Sequence, residues 1–137
     1  NMETLWQQAY PSECVIVRPT GIYGTSVARM IKLAETTKAY PKLHWSNRIH
    51  VEDLAAFLAH LLHVEHTEKS YICSNSQPLP LHEIMQWFQQ QLGLPALVLE
   101  SDVPSGKQIY ASRMQQMNFE LQHSHCFDDY LELLAER

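Results

Sequence analysis

Apolar residues recur at helical spacing in four stretches of the chain. Val27, Met30, Ile31 and Ala34 predict a helix over residues 26–36. Leu54, Phe57, Leu58, Leu61 and Leu62 predict a second, Ile84, Met85, Phe88 and Leu92 a third, and Phe127, Tyr130, Leu131 and Leu134 a last one. Residues 4–10 read as a short helix that Pro11 stops, because proline cannot continue the hydrogen-bond ladder. The run 14–17 is continuously apolar and partly β-branched, the pattern of a strand buried on both faces. Residues 70–73 and 96–99 read as short strands, and 39–46 as a loop or short strand. Glu52 and Asp53 fall in a first helical turn, where carboxylates match the helix dipole, and His63 and His66 lie near that helix's end. Residues 75–80 form a loop, and Pro80 suits the first turn of the helix that follows. Gly93 and Asn118 stand where a left-handed residue ends a helix, and Ser112 is placed to cap a brief helix through Met117.

The pattern is α/β, a mixed α and β unit. Its strands are too short and too few for a complete doubly wound sheet. With 137 residues and 45% hydrophobic content, one domain with a packed core is expected. Ten basic against fifteen acidic residues give a formal charge of −5, and the basic residues are scattered. Nucleic acid and membrane are therefore excluded as expected partners. The odd, widely spaced cysteines Cys14, Cys73 and Cys126 fit free thiols and a cytoplasmic location.

Candidate chemistry is sparse. His60, His63 and His66, and the pair His123 and His125, lack a surrounding ligand constellation, so no metal site is expected. No nucleophile elbow is present, and no cysteine lies in a basic setting. A dipole-matched first turn accounts for Glu52 and Asp53. Trp6, Trp45, Trp87, Met114 and Met117 read as core or pocket wall.

Several segments, in order, carry a family resemblance. They are Arg18-Pro19-Thr20-Gly21-Ile22-Tyr23-Gly24, Asn47-Arg48-Ile49-His50-Val51-Glu52-Asp53-Leu54, and Tyr71-Ile72-Cys73 with the Pro78-x-Pro80 loop and the helix to Leu94-Pro95. Gly106-Lys107 through Ser112-Arg113-Met114 and Asn118-Phe119 complete the series. Together they resemble the C-terminal, substrate-side part of the extended short-chain dehydrogenase/reductases, the NAD-dependent epimerase/dehydratase family. A nucleoside-diphosphate-sugar epimerase-like bacterial subgroup is the nearest in pattern. The resemblance covers nearly the whole chain. It implies a single substrate-side domain over residues 1–137, with 1–24 supplying a helix end and a strand of a Rossmann sheet whose dinucleotide-binding half is missing.

The resemblance implies that Pro19, Thr20 and Gly21 border the nicotinamide and that Ile22, Tyr23, Gly24, Arg48 and His50 face the substrate. Arg48 is the better candidate for an anionic group, because a guanidinium suits bidentate recognition; His50 reads more simply as a helix cap. The complete enzyme would use NAD or NADP, with no cofactor expected on this chain alone. Its substrate would be a small molecule, with nucleotide sugars the family's class.

The departures are as informative. The four glycines are not spaced as a dinucleotide turn, and no tyrosine has a lysine four residues on, so no catalytic residue is expected here. Ser46 stands where sugar-nucleotide enzymes often carry an arginine for the diphosphate, and Thr25-Ser26-Val27 replaces the family's Gly-Pro-Gly rim. The alternative expectation is a stand-alone binding module, homodimeric or partnered through the exposed edge of the 14–17 strand.

Overall fold

The computed structural model describes residues 1–10 and 14–137. The helix α1 (Met2–Ala9) starts at Asn1, whose side-chain oxygen accepts the Thr4 N–H at 2.9 Å. Its expected stop, Pro11, lies outside the described residues. Then follow β1 (Ile16–Pro19), β2 (Gly21–Tyr23), α2 (Ala28–Thr36), β3 (Ala39–Tyr40), β4 (Leu43–Ser46), β5 (Arg48–His50) and α3 (Val51–Leu61). The second half contains β6 (Ser70–Cys73), β7 (Leu79–Pro80), α4 (Leu81–Gln91), β8 (Val98–Leu99), β9 (Pro104–Gly106), α5 (Ser112–Gln115) and α6 (Cys126–Glu136). Among the described residues no helix is long and apolar enough to cross a membrane.

The strands form small sheets rather than one wound sheet. β1 pairs parallel with β6, from Ile16 opposite Ser70 to Pro19 opposite Cys73. At Thr20 the chain changes partner: its N–H and its hydroxyl both donate to the Cys73 carbonyl, each at 3.0 Å. β2 then runs parallel to β5. β4 lies between antiparallel β7 and parallel β9, and β3 pairs parallel with β8.

Two apolar clusters hold these pieces. Val27, Ala34, Ile84, Phe88, Cys126 and Tyr130 join α2, α4 and α6. Phe57, Tyr71, Cys73, Ala111 and Met114 join α3, β6 and α5. Buried Gln89 spans the first cluster's edge. Its amide donates to the Ala34 and Thr37 carbonyls, both at 3.0 Å, and its oxygen accepts the Leu97 N–H at 2.8 Å.

Several expectations need correction. Residues 14–17 are half-buried, not enclosed, and the strand itself is 16–19. Its Val17 face packs on the Phe57 cluster with Tyr71, while Arg18 and its register partner Ile72 lie exposed on the other face. Trp6 is no core residue: it is 52% exposed and stacks on Tyr10. Ser112 is the first residue of α5 and Ala111, which has no side-chain acceptor, stands at the cap position, its N–H held by the Ser76 hydroxyl. Residues 21–23 and 104–106 are strands that the glycine and proline punctuation concealed. Gly93 and Asn118 do take positive φ, 69° and 55°.

The stretch from Asn47 to Asp53 ties the C-terminal part of the chain to the rest. The Asn47 amide donates to the Lys107 carbonyl at 2.7 Å, and its oxygen accepts the Ile109 N–H at 2.8 Å. Asp53, 1% exposed, accepts the N–H groups of Gln122 at 2.8 Å and His123 at 2.9 Å, one on each carboxylate oxygen. Asp53 thus does more than match a helix dipole. Hydrogen bonds to a charged group contribute about 1.5–3 kcal/mol each. Asp53→Ala is expected to lower unfolding free energy by about 3 kcal/mol, and Asp53→Asn, which keeps one acceptor oxygen, by about half of that. Urea unfolding of the variants at neutral pH measures both.

Candidate functional site

A cleft of about 250 Å³ opens beside β2 and β5. Gly21, Ile22 and Tyr23 form one wall, and Thr25, Ser26 and Arg29 the rim where α2 begins. Ser46, Asn47 and Arg48 make the floor, and Leu81, Ile84 and Tyr130 the apolar far side. The first wall follows from a glycine: a Cβ at Gly21 would come within 3.1 Å of the Asn47 carbonyl, which accepts the Gly21 N–H at the same distance. A side chain there would press on the floor and push it back by a few tenths of an ångström.

The structure brings Gly21, Ile22, Tyr23 and Arg48 together in this cleft. Pro19 and Thr20 do not line it; Thr20 is spent on Cys73. Gly24 and His50 pack directly behind Tyr23. Gly24 has φ 117°, and a Cβ there would meet the His50 Nε2 at 2.4 Å. His50 is buried, and its Nδ1 accepts the Glu52 N–H at 3.0 Å, capping α3. Its ring meets the Tyr23 ring edge-on. Arg48 is only 5% exposed, so it is not a surface arginine; it donates to the Gln77 carbonyl at 3.2 Å and the Ser46 hydroxyl at 2.5 Å.

Sequence reasoning missed a polar network under the wall. The Tyr23 hydroxyl donates to one oxygen of Asp129 at 2.7 Å, and His123 Nδ1 donates to the other at 2.6 Å. The His123 ring stacks on His50 at 3.6 Å between centroids. Burial first, then the bond to Asp129 and its charge, hold the Tyr23 phenol protonated far above its usual range. For His123 burial works against the charged form. The Asp129 hydrogen bond and the charges of Asp129, Asp53 and Glu52 outweigh it and raise the imidazole above its ordinary value. Burial raises the Cys126 thiol to about 11, with Arg48 pulling the other way, and burial raises Cys73 to about 11. Neither thiol is an activated nucleophile.

Among the described residues His50, Glu52 and His123 have ligand-type atoms within 4.8 Å of one another. The hydrogen bonds account for this grouping. His50 Nδ1 takes the Glu52 N–H, its Nε2 faces Gly24, and the rings lie nearly parallel, 8° apart. Parallel stacked rings do not aim their in-plane lone pairs at one point. A second hollow, about 330 Å³, lies on the outer face of β1 and β6. It holds none of the expected site residues. Its Arg18 pairs with Glu3, and its Arg113 donates to the Ser70 carbonyl and hydroxyl. The cleft at Arg48 is the stronger candidate.

The sequence matches no family model and no curated protein. Solved structures match it well. A proposed NAD-dependent epimerase/dehydratase from Methylobacillus flagellatus is 29% identical over 96% of this chain and 51% of its own, with a TM-score of 0.72. A conserved protein of unknown function from Silicibacter pomeroyi is 19% identical over 98% and 53%, TM-score 0.76. The dTDP-glucose 4,6-dehydratase from Bacillus anthracis, solved with NAD, is 14% identical over 99% and 49%, TM-score 0.71. The chain spans about half the length of these proteins. It has the fold of the C-terminal part of an NAD-dependent epimerase/dehydratase-type short-chain dehydrogenase.

Two outcomes follow from the packing behind Tyr23. Gly24→Ala must strain the backbone and displace His50, and is expected to cost about 1–3 kcal/mol in urea unfolding. The raised His123 makes stability depend on pH. Its contribution is complete below about pH 6.5, the value of the unfolded imidazole, and is lost as pH rises through the higher folded value. Melting temperatures followed across that window should fall for the wild type and lose this step in His123→Gln.

Proposed function

We propose that this chain is the substrate-binding portion of an NAD(P)-dependent epimerase/dehydratase-like oxidoreductase and that the Arg48 cleft holds the substrate. One observation carries the reading: Gly21, Ile22, Tyr23 and Arg48, assigned to substrate or cofactor by family resemblance alone, line one cleft with an apolar far wall. Few convergent polar groups against an apolar wall is the usual make-up of a small-molecule site. The kinship to enzymes such as the NAD-bound dTDP-glucose 4,6-dehydratase makes a nucleotide sugar the first substrate class to try.

In the complete enzyme the nicotinamide would take up or return the hydride. This chain's own part is to bind and orient. Pro19 and Gly21 are exposed residues, against which the edge of such a ring would lie. The chain's four glycines build no phosphate cradle, so the rest of the dinucleotide needs other residues. Tyr23 is locked to Asp129 and kept protonated, so it serves as wall and not as acid or base. Hydroxyls of Thr25, Ser26, Ser46 and Tyr130 line the cleft, but without a dinucleotide cradle of its own the chain by itself is inert in this reading.

Amide chemical shifts test this. Titration with a panel of nucleotide sugars is expected to move Gly21, Ile22, Tyr23 and Arg48, while NAD added together with those sugars is expected to leave no cofactor reduced. Shifts confined to the Arg18 and Arg113 hollow would refute the assignment of the site.

A further inference from the structure

The cleft has cations and no anions. Arg48 is nine-tenths buried or more, yet both of its hydrogen-bond acceptors are neutral: a carbonyl and a hydroxyl. Among the described residues every ion pair lies elsewhere, at Arg18 with Glu3 and at His123 with Glu52 and Asp129. A guanidinium has five N–H donors, and Arg48 uses two of them on protein acceptors. Burying a charge without a counter-ion is costly. The charge is felt in the surroundings, since it draws the Tyr130 phenol and the Cys126 thiol downward against the larger effect of their burial.

Arg29 adds to this. It stands on the cleft rim in the first turn of α2, near the positive end of the helix dipole, where a cation is disfavoured. That turn has no acidic residue, and its cap, Val27, supplies no side-chain acceptor. No Asp or Glu lines the cleft. Arg48 is buried without a carboxylate partner and Arg29 stands at the positive end of a helix, so an anion in the cleft would compensate both.

We propose that Arg48 and Arg29 form an anion subsite that takes a single carboxylate or phosphate group of the substrate and selects for it. The inference rests on the reading of this cleft as the substrate site, and it moves charge recognition from position 46, a serine here, to positions 29 and 48. Guanidinium forks match either anion.

The experiment is a titration of the isotope-labelled chain at low salt with inorganic phosphate, malonate and neutral glucose. Expected are saturable amide shifts at Arg29 and Arg48 with phosphate or malonate. Whichever anion binds more tightly identifies the group. Arg29→Gln, an exposed change that leaves the fold intact, should weaken binding about tenfold, equivalent to about 1.4 kcal/mol. Arg48→Met should abolish binding without lowering the melting temperature. Lys32→Gln, an equal change of net charge outside the cleft, should bind as wild type. Unchanged anion binding in Arg29→Gln, or an equal loss in Lys32→Gln, overturns the proposal. Cleft shifts with glucose and none with either anion refute the anion subsite and keep the cleft as a site. No cleft shifts with any probe would contradict both.

Discussion

The buried carboxylate of Asp53 is the constraint on which the rest of this structure depends. It sits in the first turn of α3 and accepts two backbone N–H groups from residues 122 and 123. Six residues earlier Asn47 grips residues 107 and 109 in the same way, with both ends of its amide. Between the two anchors lies β5, which pairs with β2 and forms the floor of the cleft. One short stretch therefore fixes β2, α3 and two C-terminal segments relative to one another. Strands of two to four residues provide few ladder bonds, so side-chain to backbone bonds take over that role.

The site inherits its chemistry from this arrangement. Holding residues 122 and 123 on α3 places His123 over His50 and beside Asp129, and Asp129 in turn holds the Tyr23 hydroxyl. The tyrosine ring becomes a fixed wall whose polar end is held by Asp129. His50, capping α3 through one nitrogen and pressed against Gly24 through the other, props that wall from behind. What lines the cleft is apolar surface, two arginines, Asn47 and the hydroxyl residues Thr25, Ser26, Ser46 and Tyr130, with no carboxylate among them.

Much of this was legible in the sequence, and the failures have physical causes. The helices at Ala28–Thr36, Val51–Leu61, Leu81–Gln91 and Cys126–Glu136 follow the apolar period, because each buries one stripe in a core cluster. Ser70–Cys73 was readable to the residue. The strands Gly21–Tyr23 and Pro104–Gly106 were not, since glycine and proline signal turns and here serve close backbone approach instead. The burial of Cys14–Val17 was overread because an apolar run states what a strand would bury in a wider sheet and not what covers it here. Of the cleft lining, Arg48 and Tyr23 were pointed out by a pattern that resembles a family's. Asp129, His123 and Arg29 had no such pattern: Arg29 reaches the cleft rim from α2, Asp129 and His123 lie behind the Tyr23 wall, and no local spacing signals a contact across 106 residues such as that of Tyr23 with Asp129.

Native-state hydrogen exchange on the wild-type chain tests the account most directly. If the Asn47 and Asp53 anchors hold the fold together, the amides of Ile109, Gln122 and His123 should exchange as slowly as those of the core helix α4, although their segments contain no regular structure. Exchange of these three amides at the rate of exposed loops would contradict it, because the cleft floor would then lack the support on which the site is built.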